Sequence, residues 1–453
     1  MSDNGKKKPV VFIKTFGCQM NEYDSQVAAG LLKAAGFEMI GAGPEGDSPL
    51  RRHEKRADVV LMNTCSVREH AEDRVYGRLG MLGKAKKSNP DLILGLMGCM
   101  VEEHREKLFR RFPQLDLMVG TRNIKELPAL IEEVARSRKQ AARIKQEGIS
   151  IEYTDLIRRS SRFHAWLPIM TGCDKICTFC IVPITRGAEV SMPAREVYRE
   201  ASRLAGEGVK WITLLGQNVN SYRGEEVGAA LQGRPYSRKG ASTFPELLEM
   251  LCKIDGLERI SFTTSHPSDA TEELFQVIAR NPKISRRFHL PIQSGSDRIL
   301  KRMKRLHLYE EYKQKIDRLR ELIPDISITT DIIVGFSGET DEDYELTRRA
   351  LREIRYDGAY IFKYSPRPGT PAAKLADDVP QEIKERRNAE LLSCQREITR
   401  QKNQAWIGRT VEVFVEDRST KHEGELLGRT VQERKIVFEG SRDLIGTFQE
   451  ITL

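Results

Sequence analysis

Through the middle of the chain, strand-like segments at residues 210–215, 259–263, 287–291, 326–334 and 359–364 alternate with helical sequence. Parallel neighbours cannot be joined by a tight turn; they need a crossover, usually a helix, so this rhythm predicts a parallel sheet covered on both faces. Six or so such repeats suggest an open, partial (β/α) barrel, whose reactive groups gather at the carboxyl ends of its strands. Four segments fall at that edge or just beyond it: Gly216-Gln217-Asn218, Ser265-His266-Pro267, Gln293-Ser294-Gly295-Ser296 and Gly338-Glu339-Thr340. Each mixes small residues with hydrogen-bonding side chains, which suits a site that holds a ligand and excludes water. Ordinary turns use the same residue types. Recurrence at one edge is what makes Gln217, Asn218, Ser265, His266, Gln293, Ser294 and Glu339 candidates for cofactor binding.

The first 135 residues repeat the pattern on a smaller scale. Apolar runs at 10–13, 59–62 and 92–97 read as parallel strands, each followed by a helical pattern, and predict an open, Rossmann-like parallel-sheet domain over residues 8–135. Each run leads into a cysteine: Cys18 in KTFGCQMNEYDS, Cys65 in NTCSVRE and Cys99 in MGCMVEE. In an open α/β sheet every such turn lies at the carboxyl edge, so three cysteines far apart in sequence converge on one face. Buried cysteine often acts as a small hydrophobe, but three at one topological position point to a shared metal centre. Cys252 and Cys394 sit in helical patterns, LLEMLCKI and AELLSCQRE, and read as packing residues.

Three more cysteines lie close together in Cys173-Asp-Lys-Ile-Cys177-Thr-Phe-Cys180. A [4Fe–4S] cluster usually takes four thiolates, so this spacing leaves one iron open to a small molecule. A structural zinc site closes with four ligands, often from two paired CxxC knuckles, and no second knuckle lies nearby. Disulfides need an oxidising compartment, whereas the start MSDNGKKK lacks the apolar stretch of a secretory signal. The segment resembles the CxxxCxxC signature of the radical S-adenosylmethionine (SAM) superfamily, whose members bind SAM at the open iron and cleave it reductively to an adenosyl radical.

KTFGCQMNEYDS, NTCSVREHAEDRVYGRLG and CDKICTFCIVPITRGAEVSMP extend that likeness. Nearly end to end the chain resembles the radical SAM methylthiotransferase family, and most of all its members acting on isopentenylated adenosine in tRNA. Members acting on ribosomal protein or on threonylcarbamoyladenosine differ after the second cysteine and after CxxxCxxC; another tRNA adenosine derivative or a ribosomal protein side chain is the alternative substrate. The resemblance implies two [4Fe–4S] clusters, one on Cys173, Cys177 and Cys180 with exchangeable SAM, the other on Cys18, Cys65 and Cys99 for handling sulfur. It implies that SAM serves twice, as radical source and as methyl donor, in methylthiolating carbon 2 of the adenosine beside the anticodon. An unactivated aromatic C–H is too weak an acid for any side chain, so a cofactor has to carry this chemistry. Implied partners are the anticodon stem-loop of tRNA, an electron donor such as flavodoxin or ferredoxin, and a sulfur source. A non-catalytic iron–sulfur protein that binds RNA or transfers electrons is the competing class, and reductive cleavage of SAM separates the two.

After a long charged helix over 381–405 the sequence changes character. TVEVFVED, ELLGRTVQ, KIVFEG and LIGTFQEITL predict a small antiparallel β-barrel, similar to the TRAM domain, an OB-like RNA-binding module. The expected plan is an N-terminal domain at 8–135, a basic linker at 136–158, a radical SAM core at 159–386, and the helix end plus TRAM domain at 387–453. No apolar run is long enough to span a bilayer, so no membrane partner is expected and the cytoplasm is the predicted location.

A net charge of +9 suggests an anionic partner. Residues 136–162 hold eight Lys or Arg against three acids, and RILKRMKR at 298–305 holds five basic residues and no acid. Both are candidate phosphate contacts. Residues 404–453 carry seven basic and nine acidic side chains, so RNA binding there would rest on a local patch, such as Arg429, Arg434 and Lys435, or on shape. Residues 41–57 read as an enlarged polar loop, and 220–242 as a mobile loop over the barrel mouth.

Overall fold

The computed structural model describes residues 9–40, 56–66, 69–144, 151, 153–224, 241–419, 422 and 424–453. Nearly all of the expected 41–57 loop and the middle of the 220–242 insertion lie outside these residues. The chain divides into two compact units, one of residues 1–160, 171–173 and 181–190, the other of residues 161–170, 174–180 and 191–453.

The first unit runs β1 (Val10–Phe16), α1 (Gln19–Ala34), β2 (Glu38–Ile40), β3 (Val59–Thr64), α2 (Glu69–Ser88), β4 (Ile93–Gly98), α3 (Cys99–His104), β5 (Leu117–Val119), α4 (Leu127–Ser137) and β6 (Ala141–Arg143). The six strands form one parallel sheet in the order β2-β1-β3-β4-β5-β6. β3 and β4 are buried along their whole length, as strands covered on both faces must be. Alternate residues divide between the faces. Phe12, Val60 and Leu94 pack with Val75 and Leu79 of α2, whereas Val11, Leu61 and Met97 pack with Leu32 of α1 and Leu130 of α4. β6 lies in the stretch expected to be linker. Ala-Ala-Arg has no β-branched or aromatic side chain, so only its pairing with β5 marks it as a strand.

The second unit begins with β7 (His164–Pro168) and continues through α5 (Ala194–Gly206), β8 (Trp211–Leu215), α6 (Phe244–Cys252), β9 (Arg259–Phe262), α7 (Glu272–Arg280), β10 (Arg287–His289), α8 (Asp297–Arg302), α9 (Tyr309–Leu322), β11 (Ser327–Val334), α10 (Asp341–Ile354) and β12 (Gly358–Lys363). β7, β8 and β9 pair in parallel, as do β10, β11 and β12, and a parallel bridge between Ile260 and Ile284 joins the two triplets. Strands in sequence order with helical crossovers make the partial (β/α) barrel. β7 is the strand that periodicity alone does not single out.

α11 (Gln381–Gln404) covers the last strand without a broad apolar stripe; its buried residues include Lys384, Arg387 and Gln395 beside Leu391 and Ile398. Arg387 donates to Glu339 at 2.6 Å, Asn388 to the Ile361 carbonyl at 2.9 Å and Gln395 to the Tyr356 carbonyl at 2.9 Å. Hydrogen-bonded polar groups do here what an apolar stripe does elsewhere. Among the described residues no helix is long and apolar enough to cross a membrane.

β13 (Thr410–Arg418), β14 (Glu425–Thr430), β15 (Lys435–Glu439) and β16 (Phe448–Thr452) form a curled antiparallel sheet in the order β15-β14-β13-β16. It docks at the amino ends of the barrel strands. Trp211 meets Phe414 edge to face at 5.7 Å, Arg259 pairs with Glu412 at 3.0 Å, Arg287 with Glu433 at 2.8 Å, and Arg434 with Asp357 at 2.6 Å. Two of the three residues expected in an RNA patch are therefore committed elsewhere: Arg434 to Asp357, and Arg429 to Glu416 at 2.8 Å. Lys435 is exposed. In the 298–305 cluster three of the five cations have partners within the chain. Arg298 pairs with Asp343, Arg302 donates to the Ser337 carbonyl at 3.1 Å, and Arg305 to the Pro291 carbonyl at 2.9 Å. α8 stops at Arg302, and Lys301 and Lys304 are exposed.

Candidate functional site

In the first unit β1, β3 and β4 are neighbours, and a cysteine stands at the carboxyl end of each. Cys18 caps α1, Cys65 follows β3 and Cys99 opens α3. The turn into Cys99 depends on Gly98, whose φ is +97°; a Cβ there would lie 2.4 Å from Asn63 Oδ1. Two buried asparagines tie the first two cysteine turns together. Asn21 Oδ1 accepts from the Cys18 N–H at 3.3 Å, Asn21 Nδ2 donates to Asn63 Oδ1 at 3.0 Å, and Asn63 Nδ2 donates to the Asn21 carbonyl at 2.8 Å. Asn21 lies in the first turn of α1 and Asn63 in β3, and neither is among the candidate residues of the sequence analysis.

The Cys65 sulfur is hydrogen-bonded to both Cys18 and Cys99, which with burial pushes its thiol up. The same bond from Cys65, helped by the Arg186 charge and opposed by burial, lowers Cys18 to about 6 and also lowers Cys99. Arg186 is itself buried and pairs with buried Asp24 at 2.7 Å. Three soft sulfur donors with a fixed cation beside them suit an anionic metal–thiolate centre. Thr64 Oγ1 and Ser66 Oγ, flanking Cys65, are buried without a hydrogen-bond partner.

The CxxxCxxC loop is held at several points. Within the first unit the Cys173 N–H donates to the Gly187 carbonyl at 3.1 Å. Within the second, the Cys180 N–H donates to the Cys177 carbonyl at 3.1 Å. Thr178 fastens this part of the loop to the end of α8, through its N–H to the Met303 carbonyl at 3.0 Å and its hydroxyl to the Arg302 carbonyl at 3.1 Å. Lys175 pairs with Asp269 at 2.8 Å, and Asp269 also accepts from Asn218 at 2.7 Å.

At the carboxyl ends of β8, β9 and β10, five predicted residues expose the same anomaly. Gln217 Oε1, Asn218 Oδ1, Ser265 Oγ, His266 Nε2 and Gln293 Oε1 are buried with no hydrogen-bond partner. Each such group costs about 1–3 kcal/mol, so five along one edge fit a site completed by a polar ligand. SAM, with its amino, carboxylate, ribose and adenine groups, has the donors and acceptors they lack. Backbone strain marks the same edge: Thr264 and Gln293 hold φ of +67° and +70° although neither is glycine.

Ser294 and Glu339 differ from these five. Ser294 Oγ bonds Thr347 Oγ1 at 3.2 Å, and Glu339 accepts from the Gly335 N–H at 2.8 Å and from Arg387 at 2.6 Å. Burial raises Glu339 to about 7. Their side chains serve the loops rather than the cleft. Two residues absent from the expected set join it. His307 stands 6.0 Å from His266, ring to ring, and both His307 nitrogens and Arg305 Nε are buried without partners. Burial, reinforced by the Arg305 charge, lowers His307 to about 3 and pushes His266 down as well, so both are neutral near pH 7. A lone histidine in RLHLYE gave no signal of this.

A partial (β/α) barrel with a CxxxCxxC loop and a row of unsatisfied polar groups at its carboxyl edge defines a radical SAM enzyme, a class that works with a [4Fe–4S] cluster and SAM. Residues 167–351 match the family described as Radical SAM superfamily, residues 10–120 match Uncharacterized protein family UPF0004, and residues 404–453 match the TRAM domain. The tRNA-2-methylthio-N(6)-dimethylallyladenosine synthase of Carboxydothermus hydrogenoformans is 42% identical over 444 residues, covering 98% of this chain and 96% of that one. Its namesake in Symbiobacterium thermophilum is 43% identical over 448 residues, with 98% and 91% covered. The chain belongs to this family of radical SAM tRNA methylthiotransferases. Among solved structures, the radical SAM methyltransferase TsrM of Kitasatospora setae shares the fold at a TM-score of 0.53 and 14% identity, over 81% of this chain and 77% of that one.

Proposed function

We propose that this chain methylthiolates carbon 2 of isopentenylated adenosine beside the anticodon of cytoplasmic tRNA, using SAM once as radical source and once as methyl donor. The observation that carries this reading is the pair of cysteine triads, one on the carboxyl edge of the N-terminal sheet and one in the loop after β7. Cys173, Cys177 and Cys180 would hold one [4Fe–4S] cluster with an iron left for SAM, and Cys18, Cys65 and Cys99 a second. When bound, these groups supply the one-electron cleavage, the hydrogen abstraction and the sulfur and methyl transfers that no side chain can perform.

The protein's own residues orient and shield. Gln217, Asn218, Ser265, His266 and Gln293 offer hydrogen bonds along the barrel edge, and His266 and His307, being neutral, place no competing charge there. Asp269 fixes Lys175 and Asn218 relative to each other. The TRAM sheet, with Lys435 exposed, contributes to tRNA positioning mainly by shape, since its net charge is negative. A flavodoxin or ferredoxin would deliver electrons, and a separate donor the sulfur. Mass spectrometry of tRNA nucleosides from cells lacking the protein tests substrate and reaction together. Isopentenyladenosine should accumulate as its methylthio derivative disappears. Loss of the modification from ribosomal protein or from threonylcarbamoyladenosine instead would overturn the assignment.

A further inference from the structure

Arg305 Nη1 lies 3.3 Å from the sulfur of Cys177, while Nη2 of the same guanidinium donates to the Pro291 carbonyl at 2.9 Å. Two anchored nitrogens fix the plane of the fork. The backbone is shaped for this contact. After α8 ends, Lys304 takes φ of +52° and the Arg305 N–H returns to the Leu300 carbonyl at 2.9 Å, which turns the chain back toward the end of β10. A left-handed conformation costs a lysine about 1–2 kcal/mol, so the turn has to be repaid by what it positions. The cysteine loop is fastened to the same turn by the two Thr178 bonds to Met303 and Arg302. Cys177 and Arg305 are thus held against each other from both sides.

We propose that Arg305 is a positioning residue for the cluster on Cys173, Cys177 and Cys180, raising its reduction potential through an N–H···S bond to Cys177. This rests on the reading of Cys177 as a cluster ligand. A ligating thiolate that accepts a hydrogen bond donates less electron density to iron, and a fixed positive charge nearby favours the more negative, reduced cluster; both effects make the cluster easier to reduce. A shift of this kind brings the one-electron reduction required for SAM cleavage within reach of a protein donor.

The test uses the full chain with Cys18, Cys65 and Cys99 replaced by Ala, so that a single cluster is titrated, and compares Arg305→Gln and Arg305→Lys with the parent. Iron and sulfide content should stay near four per chain. The midpoint potential, followed by electron paramagnetic resonance, should move to lower values in R305Q, with R305K between it and the parent because the charge remains and the fork is lost. SAM cleavage should slow with a weak reductant and recover with a stronger one, which a purely structural defect would not show. An unchanged potential in R305Q with its cluster intact overturns the proposal. So does a folded R305Q, judged by circular dichroism, that assembles no cluster, since that would assign Arg305 to assembly. Iron retained after Cys173, Cys177 and Cys180 are also replaced would sink the underlying ligand reading instead.

Discussion

Lys175 and Asp269 are joined by an ion pair of 2.8 Å, and the second oxygen of the same carboxylate accepts from Asn218 at 2.7 Å. One acid thus ties the cysteine loop to the turn after β8. The pair is about four-fifths shielded from water, with side-chain exposures of 19% and 20%, so solvent screens it only in part. Removing the carboxylate would free the loop and strand the Asn218 amide together.

Asp269→Ala should therefore weaken SAM binding by about tenfold, near 1.4 kcal/mol, while leaving iron content unchanged. Asp269→Asn keeps an acceptor for Asn218 and should lose less. Equilibrium dialysis with SAM on the anaerobic protein measures both. Equal affinity in the Ala variant and the parent would show that the loop is positioned without Asp269.

The two cysteine triads should separate cleanly. Replacing Cys173, Cys177 and Cys180 with Ala should lower iron from about eight to about four per chain and abolish SAM cleavage. Replacing Cys18, Cys65 and Cys99 should cost the same iron but leave SAM cleavage in place, with no methylthio product. Normal product from the second variant would count decisively against a sulfur-handling role for that triad.

Glu339 and Arg387 make a pH-dependent clamp between the loop after β11 and α11. Burial raises the Glu339 carboxyl to about 7, above its ordinary 4.5, so the folded chain holds this proton more tightly than the unfolded one. The resulting stabilisation is complete below the unfolded value and lost as pH rises through about 7. Between pH 5 and pH 8 the stability of Glu339→Gln relative to the parent should improve by up to ~3 kcal/mol, on top of a cost, the same at both pH values, from taking the carboxylate away from buried Arg387. Arg387→Met leaves the carboxylate without its closest cation and should cost ~3–5 kcal/mol at pH 8, and less at pH 5, where Glu339 takes up a proton. A gap between parent and E339Q that does not change with pH would refute the clamp.

The cysteine turns and the barrel rhythm were legible because each is local: an apolar run, a turn residue and a helix follow one another within some twenty positions. Cys18, Cys65 and Cys99 could be placed at one edge from topology alone, before any distance was known. Partners drawn from distant sequence were not legible. Nothing near Arg434 announces Asp357 and nothing near Arg305 announces Cys177, so individual cations that looked available are in fact held by other groups. α11 shows the same limit from the other side. Its Lys384, Arg387 and Gln395 look solvent-facing by type, yet they are buried, because the barrel supplies Asp377, Glu339 and the Tyr356 carbonyl to meet them. β6 and β7 escaped because short strands take their identity from the neighbour they pair with.

The docking of the C-terminal sheet changes what its removal would report. Arg287 donates to Glu433 at 2.8 Å, Ser285 donates to the same carboxylate at 3.0 Å, and Glu433 holds φ of +59° to reach them. Arg287 and Ser285 pull the Glu433 carboxyl below its ordinary value against the opposing effect of burial. Truncation at residue 404 would leave Arg259 and Arg287 without Glu412 and Glu433 and uncover Trp211 at the start of β8. Such a protein should lose barrel stability, and SAM cleavage should fall together with tRNA modification. Glu433→Ala is the milder form, with an expected cost of ~3 kcal/mol from the unpaired Arg287. Lys435→Ala separates RNA contact from this structural role: tRNA affinity should weaken and its salt slope shrink by about one, with thermal midpoint and SAM cleavage unchanged. Binding titrations at several salt concentrations, run beside thermal unfolding of all three variants, decide the matter. A truncated chain as stable as the parent would show that these interfacial ion pairs contribute nothing to the barrel, and an unchanged slope in K435A would remove β15 from the tRNA-binding surface.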